Sequence, residues 1–325
     1  ISEIDRLMPM LIGHATVDTF AKKLFLRNKP EDKNNLYSLK YLLGCFFVYE
    51  QIELKSYWDQ FTSTGRKDVF TPTRTSYEGQ KVQKDFRYDV FLSTLLSEKD
   101  IILDERIKVI SWNYDSQFEI AYQEFNPNSL LKVYPHPNLF NDFNLNKSPQ
   151  IVKLNGTATY LYSEKNRRSD DESIFKPMYE LNELKADMNY GALPSFFDML
   201  RLYSDWLNTK KEDYIPFINF AWEKNVLSKK TLEFAKEIMH QTEVLVVIGY
   251  SFPNFNRTID LELLKDTFFN RVYIQTVKEN IDDLSQRFKW LIDRKVEIIP
   301  YSDTYQFFIP YELDQTFWNG ELKTL

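Results

Sequence analysis

Between positions 107 and 119 the hydrophobic pattern changes its period. Ile107, Val109 and Ile110 form a β-branched run broken only by Lys108, the pattern of a strand covered on both faces. Asp115 and Ser116 are then N-cap types, Glu119 stands three positions after Ser116 as in a capping box, and Phe118, Ile120 and Ala121 continue at helical spacing. Asn113, Tyr114 and Asp115 are thereby predicted between the carboxyl end of a strand and the amino end of a helix. Open α/β sheets bind ligands there, and free helix amides favour phosphate.

Before this stretch the pattern is helical. Positions 16–26, TVDTFAKKLFL, put Phe20, Leu24 and Phe25 on one face behind a Thr or Asp cap, and 36–61 is a long aromatic-rich pattern that reads as packed core. Polar residues with Gly65, Pro72 and Gly79 make 62–84 a loop, and 85–96 is helical again. After it, a Pro- and Asn-rich connection over 126–148 leads to a second strand, 150–160, with a small polar turn at Asn155, Gly156 and Thr157. Residues 163–173 read as a charged surface loop, and Pro194 and Pro216 mark helices over 194–207 and 214–224.

The last third alternates regularly. A helix over 229–240, a strand in 243–253 ending at Gly249, Tyr250 and Ser251, and a helix over 256–268 are followed by strand 271–277, helix 281–291 and strand 296–300. Strand, helix, strand at these spacings predicts βαβ units and a parallel sheet. The expected fold is one α/β domain: a Rossmann-like parallel sheet flanked by helices over 101–325, with a helical insertion at about 163–227 and a helical, aromatic-rich region over 1–100.

Composition narrows the chemistry. With 43% hydrophobic and 16% aromatic residues in 325, the chain can bury a large core, and a net charge of −6 with interleaved signs gives no direct nucleic-acid signal. Cys45, the single cysteine, reads as a small core hydrophobe in a reducing cytoplasm; one cysteine cannot build a four-thiolate zinc site, and three histidines offer no evident metal centre. No run approaches the roughly 18 apolar residues of a membrane helix. Eight glycines are about a third of the usual ~7%, and there is no G-x-G. Since the chain opens at Ile1 in a helical pattern, an amino-terminal segment carrying a glycine-rich loop is expected to precede it.

Three strand ends now carry polar turns: WNYD at 112–115, KLNGT at 153–157 and IGYS at 248–251. In this order and approximate spacing the set resembles the Sir2 superfamily, and more closely the SIR2-like domains of bacterial antiphage defence than the protein deacylases. The resemblance covers roughly 85–300. It implies a cleft for NAD in which Asn113 holds the nicotinamide ribose and a water, Asp115 is the neighbouring acid, and Gly249 and Ser251 pack against the dinucleotide. Trp112, Tyr114, Gly156, Thr157 and Tyr250 flank the same cofactor site, with Gln275 on the adenosine side.

One departure bears on activity. The family usually has a histidine where this chain has Asn155, and an amide does not titrate, so it can orient a ribose or a water but not act as general base. The resemblance therefore implies an NAD hydrolase that releases nicotinamide, or a catalytically impaired NAD or ADP-ribose sensor or scaffold. A Rossmann-like nucleotide-dependent transferase outside the family is the third reading. A homo-oligomer or a defence-system partner protein is the implied assembly.

Overall fold

A computed structural model describes residues 2–51, 85–96, 101–126, 131–135, 149–162, 175–177, 203–204, 208, 215–224, 226–292 and 294–313. Helices α1 (Ser2–Ile12), α2 (Val17–Arg27) and α3 (Pro30–Gln51) open the chain. Thr16 caps α2 by accepting the Thr19 amide at 3.1 Å, and Asn28 ends it in the left-handed region, its amide on the Leu24 carbonyl. Pro30 then starts α3, with Glu31 and Asp32 in its first turn. Phe20 and Leu24 pack with Leu7, Leu36, Leu39 and Phe220. Phe25, expected on the same face, lies largely outside it, against the Trp222 ring.

The chain next forms α4 (Arg87–Leu95), β1 (Val109–Ser111), α5 (Gln117–Phe125), β2 (Val133–Tyr134) and β3 (Ile151–Lys153). The three strands pair in parallel in the order β1-β3-β2, with Val109 beside Ile151 and Ser111 beside Lys153. An antiparallel sheet of order β5-β4-β6 follows from β4 (Gly156–Tyr162), β5 (Phe175–Pro177) and β6 (Ile215–Ile218). Helix α6 (Val226–His240), β7 (Val244–Ile248), α7 (Arg257–Leu264), β8 (Arg271–Gln275), α8 (Ile281–Lys289) and β9 (Glu297–Tyr301) complete the described chain. Strands β7, β8 and β9 pair in parallel in that order, each returning to its neighbour through a helix.

The α/β architecture and the parallel pairing agree with the sequence expectation, and the described residues before β1 include helices α1 to α4. Other expectations fail for physical reasons. Residues 215–218, expected to begin a helix, form an edge strand, because Ile215, Phe217 and Ile218 supply an apolar run beside β4 and Pro216 is tolerated at a sheet edge. The insertion over 163–227 is thus not simply helical, since β5 and β6 fall within it. The expected loops at 62–84 and 163–173 and most of the helix at 194–207 lie outside the described residues. Strand β1 is half-buried instead of covered on both faces.

One apolar core lies under both parallel sheets, joining Val152 and Leu154 to Val247, Val272, Ile274, Ala235 and Phe288. Cys45 is buried, and burial pushes its thiol up to about 12, consistent with a packing role.

Gly156 makes the turn from β3 to β4 possible. Its φ is +80°, and a Cβ there would meet the Phe217 carbonyl oxygen, with the Phe217 ring at 3.0 Å. Gly156→Ala is expected to destabilise the fold by about 2–4 kcal/mol, from backbone strain and collision together. Chemical denaturation measures it, and a midpoint equal to wild type would contradict this account of the turn.

Candidate functional site

A cleft of about 2000 Å³ runs along β1 and β7, lined by both strands from end to end and by the residues that follow their carboxyl ends. Six of the sequence-predicted residues line it: Trp112, Asn113, Asp115, Gly249, Tyr250 and Gln275. Across it the Trp112 and Tyr250 rings stack at 5.3 Å between centroids and 6° between planes, joining the residues that follow the two strands. Asn113 is exposed, its main-chain N–H donating to Ser111 Oγ at 3.1 Å. Gly249, also exposed, adopts φ +65° with no atom within 4 Å of an added Cβ, so its backbone is freely approachable.

The remaining predicted residues are not among those lining the cleft. Asn155, 8% exposed, donates from Nδ2 to the Trp112 carbonyl at 3.0 Å, its own carbonyl accepts the Asn219 amide at 2.8 Å, and its Oδ1 has no partner. Thr157 Oγ1 and the Ala158 amide both reach the Tyr114 carbonyl, while the Tyr114 hydroxyl donates to the Asn219 carbonyl. Ser251 is exposed, and its carbonyl accepts Arg287 at 3.1 Å. Gln275 lines the cleft, but its amide is committed: Nε2 donates to the Asp303 and Gln306 carbonyls and Oε1 accepts the Phe308 amide.

The predicted capping box does not form. Ser116 occupies the N-cap of α5 without a side-chain capping bond, and Asp115 Oδ1 instead accepts the Gln117 amide at 3.1 Å. Glu119 turns inward to Lys153, 2.7 Å away, both side chains about as buried as core leucines. Lys153 Nζ also donates to the Asp115 carbonyl, so this lysine holds both ends of the 115–119 turn. Burial pushes the Glu119 carboxyl above the usual range while Lys153 pulls it back.

A second polar cluster, missed in sequence, stands behind Tyr250. The Tyr250 hydroxyl donates to Asp260 Oδ1 at 2.8 Å and accepts from Asn256 Nδ2 at 2.9 Å. Asp260 is 3% exposed yet lines the cleft. Burial pushes its carboxyl up to about 7, with the Tyr250 hydroxyl opposing. The sequence did carry a signal: Asp260 lies three and four positions before Leu263 and Leu264, on the inward face of α7.

No family model, curated protein or solved structure matches this chain.

Removing one partner of the buried pair leaves an uncompensated charge, so Lys153→Met is expected to cost about 3–5 kcal/mol. Adding Glu119→Leu should restore most of it, and a double variant no more stable than the single one would contradict the pairing. For Asp260 the folded state holds more protons than the unfolded state between 3.8 and about 7. That contribution is complete at low pH and lost as pH rises through about 7, by at most about 4 kcal/mol. Asp260→Asn removes the dependence, so its melting temperature relative to wild type should rise between pH 3.8 and about 7 and level off at higher pH; parallel profiles would contradict the shift.

Proposed function

We propose that this chain is a SIR2-like NAD⁺ hydrolase domain, releasing nicotinamide by adding water to the anomeric carbon of the nicotinamide ribose. The observation that carries the reading is the Trp112–Tyr250 stack. It brings two of the three family-like strand ends together at the carboxyl ends of parallel strands, where α/β folds hold nucleotides. The parallel pairing supports a Rossmann-like sheet as well: β1 beside β3, and β7, β8 and β9 in succession, match the parallel halves of a doubly wound sheet, although β2 on the far side of β3 falls outside that order.

In this reading the ribose lies over Asn113, whose exposed amide orients the attacking water, and the open backbone at Gly249 and Ser251 receives the dinucleotide. Asp115 stabilises positive charge developing on the ribose. Asn155 acts by position, holding the Trp112 carbonyl next to Asn113. Antiphage defence, a cytoplasmic setting and assembly with itself or a defence partner follow from the resemblance alone; among the described residues no helix is long and apolar enough to cross a membrane.

A second reading has its own observation. Asn155 cannot accept a proton and its donor is already bound to Trp112, which favours an NAD or ADP-ribose sensor without turnover. Nicotinamide release from NAD⁺ by wild type and Asn113→Ala separates the two. The hydrolase reading expects release that falls about a hundredfold or more in the variant. Binding without release, with release appearing in Asn155→His, would establish the sensor, and neither binding nor release would overturn both.

A further inference from the structure

We propose that Asp260, with Tyr250 and Asn256, forms a subsite for a ribose hydroxyl of the bound nucleotide, an inference that rests on the NAD reading and adds a recognition element on α7. Three features converge on it. Asp260 faces the cleft from the first turn of α7, yet it is almost wholly removed from water. Its Oδ1 is occupied by the Tyr250 hydroxyl, which thereby spends its only proton, and Asn256 fills the acceptor side of that hydroxyl. Its Oδ2 is buried without any partner.

A carboxylate oxygen left in that state is costly, and a ligand donor at the cleft wall removes the cost. The chemistry of the surroundings selects the donor. A phosphate would be repelled by the carboxyl, and among the described residues Asp260 has no ion pair that would neutralise it. A hydroxyl can donate to the carboxylate or accept from the carboxylic acid, so it suits the site in either protonation state. The adjoining Trp112–Tyr250 pair offers the flat apolar surface that a ribose or its base covers. Sequence motifs point only to the strand ends, so Asp260 extends the site from the β7 end onto the next helix.

The test measures binding of ADP-ribose, and of two analogues lacking the hydroxyls of the adenine ribose or of the terminal ribose, to wild type, Asp260→Ala and Asp260→Asn by calorimetry. Wild type is expected to lose about tenfold with one analogue, while Asp260→Ala binds that analogue and ADP-ribose equally. Asp260→Asn checks that the alanine effect is not a folding defect, since it keeps the side-chain volume. Equal hydroxyl dependence in wild type and Asp260→Ala, or none in either, overturns the subsite while leaving the NAD reading standing. If wild type binds none of the three, the NAD reading falls, and carboxyl-carbon resonance shifts of Asp260 on adding free D-ribose decide the subsite: a saturable shift supports it and an unmoved resonance overturns it.

Discussion

A buried ion pair between Lys153 and Glu119 fixes the part of this protein on which its proposed chemistry depends. Taking two charges out of water costs several kcal/mol each, so the pair persists only because each partner satisfies the other and the lysine finds a further acceptor in the Asp115 carbonyl. These contacts tie the end of β3 to the first turn of α5 and leave little freedom to the intervening turn. Asn113 is therefore displayed at a strand end held from below, instead of on a loop that must be ordered by ligand. The energetic return is modest in stability and larger in position, since a reacting group gains most when it is already placed.

The second parallel sheet reaches the same cleft through aromatic stacking. Trp112 follows β1 and Tyr250 follows β7, and their contact sets the two strand ends at one distance. Tyr250 is held by its ring hydroxyl, and Trp112 by its main-chain carbonyl, which accepts from Asn155 Nδ2. An aromatic pair of this kind contributes on the order of 1 kcal/mol beyond its buried area.

Regular periodicity made most elements legible in sequence. The alternation from β7 to β9 was readable because each apolar strand is bounded by a polar turn and followed by an amphipathic helix. At 215–218 a proline imitated a helix start, and only pairing with β4 reveals the strand. The site was legible in its turns, where Asn113, Gly249 and their neighbours stand out as polar interruptions of strands, and hidden in its supports. Glu119 looked like a capping residue because local spacing cannot show a lysine 34 positions away. Asp260 was not singled out in the sequence, although its spacing to Leu263 and Leu264 already pointed inward.

The division of labour between Asn155 and Asp260 follows from their surroundings. Asn155 spends its donor on Trp112 and its main-chain carbonyl on Asn219, so it locks the β3–β4 turn against the β1 end and has no proton to exchange. A histidine in that place would carry a titratable ring into a turn already closed on Trp112. Asp260 has the opposite character: it lines the cleft, keeps one oxygen free, and has a carboxyl brought near neutrality by burial. If acid–base capacity is needed in this cleft, the physical conditions for it lie on α7, and Asn155 is better suited to holding the strand ends than to handling protons.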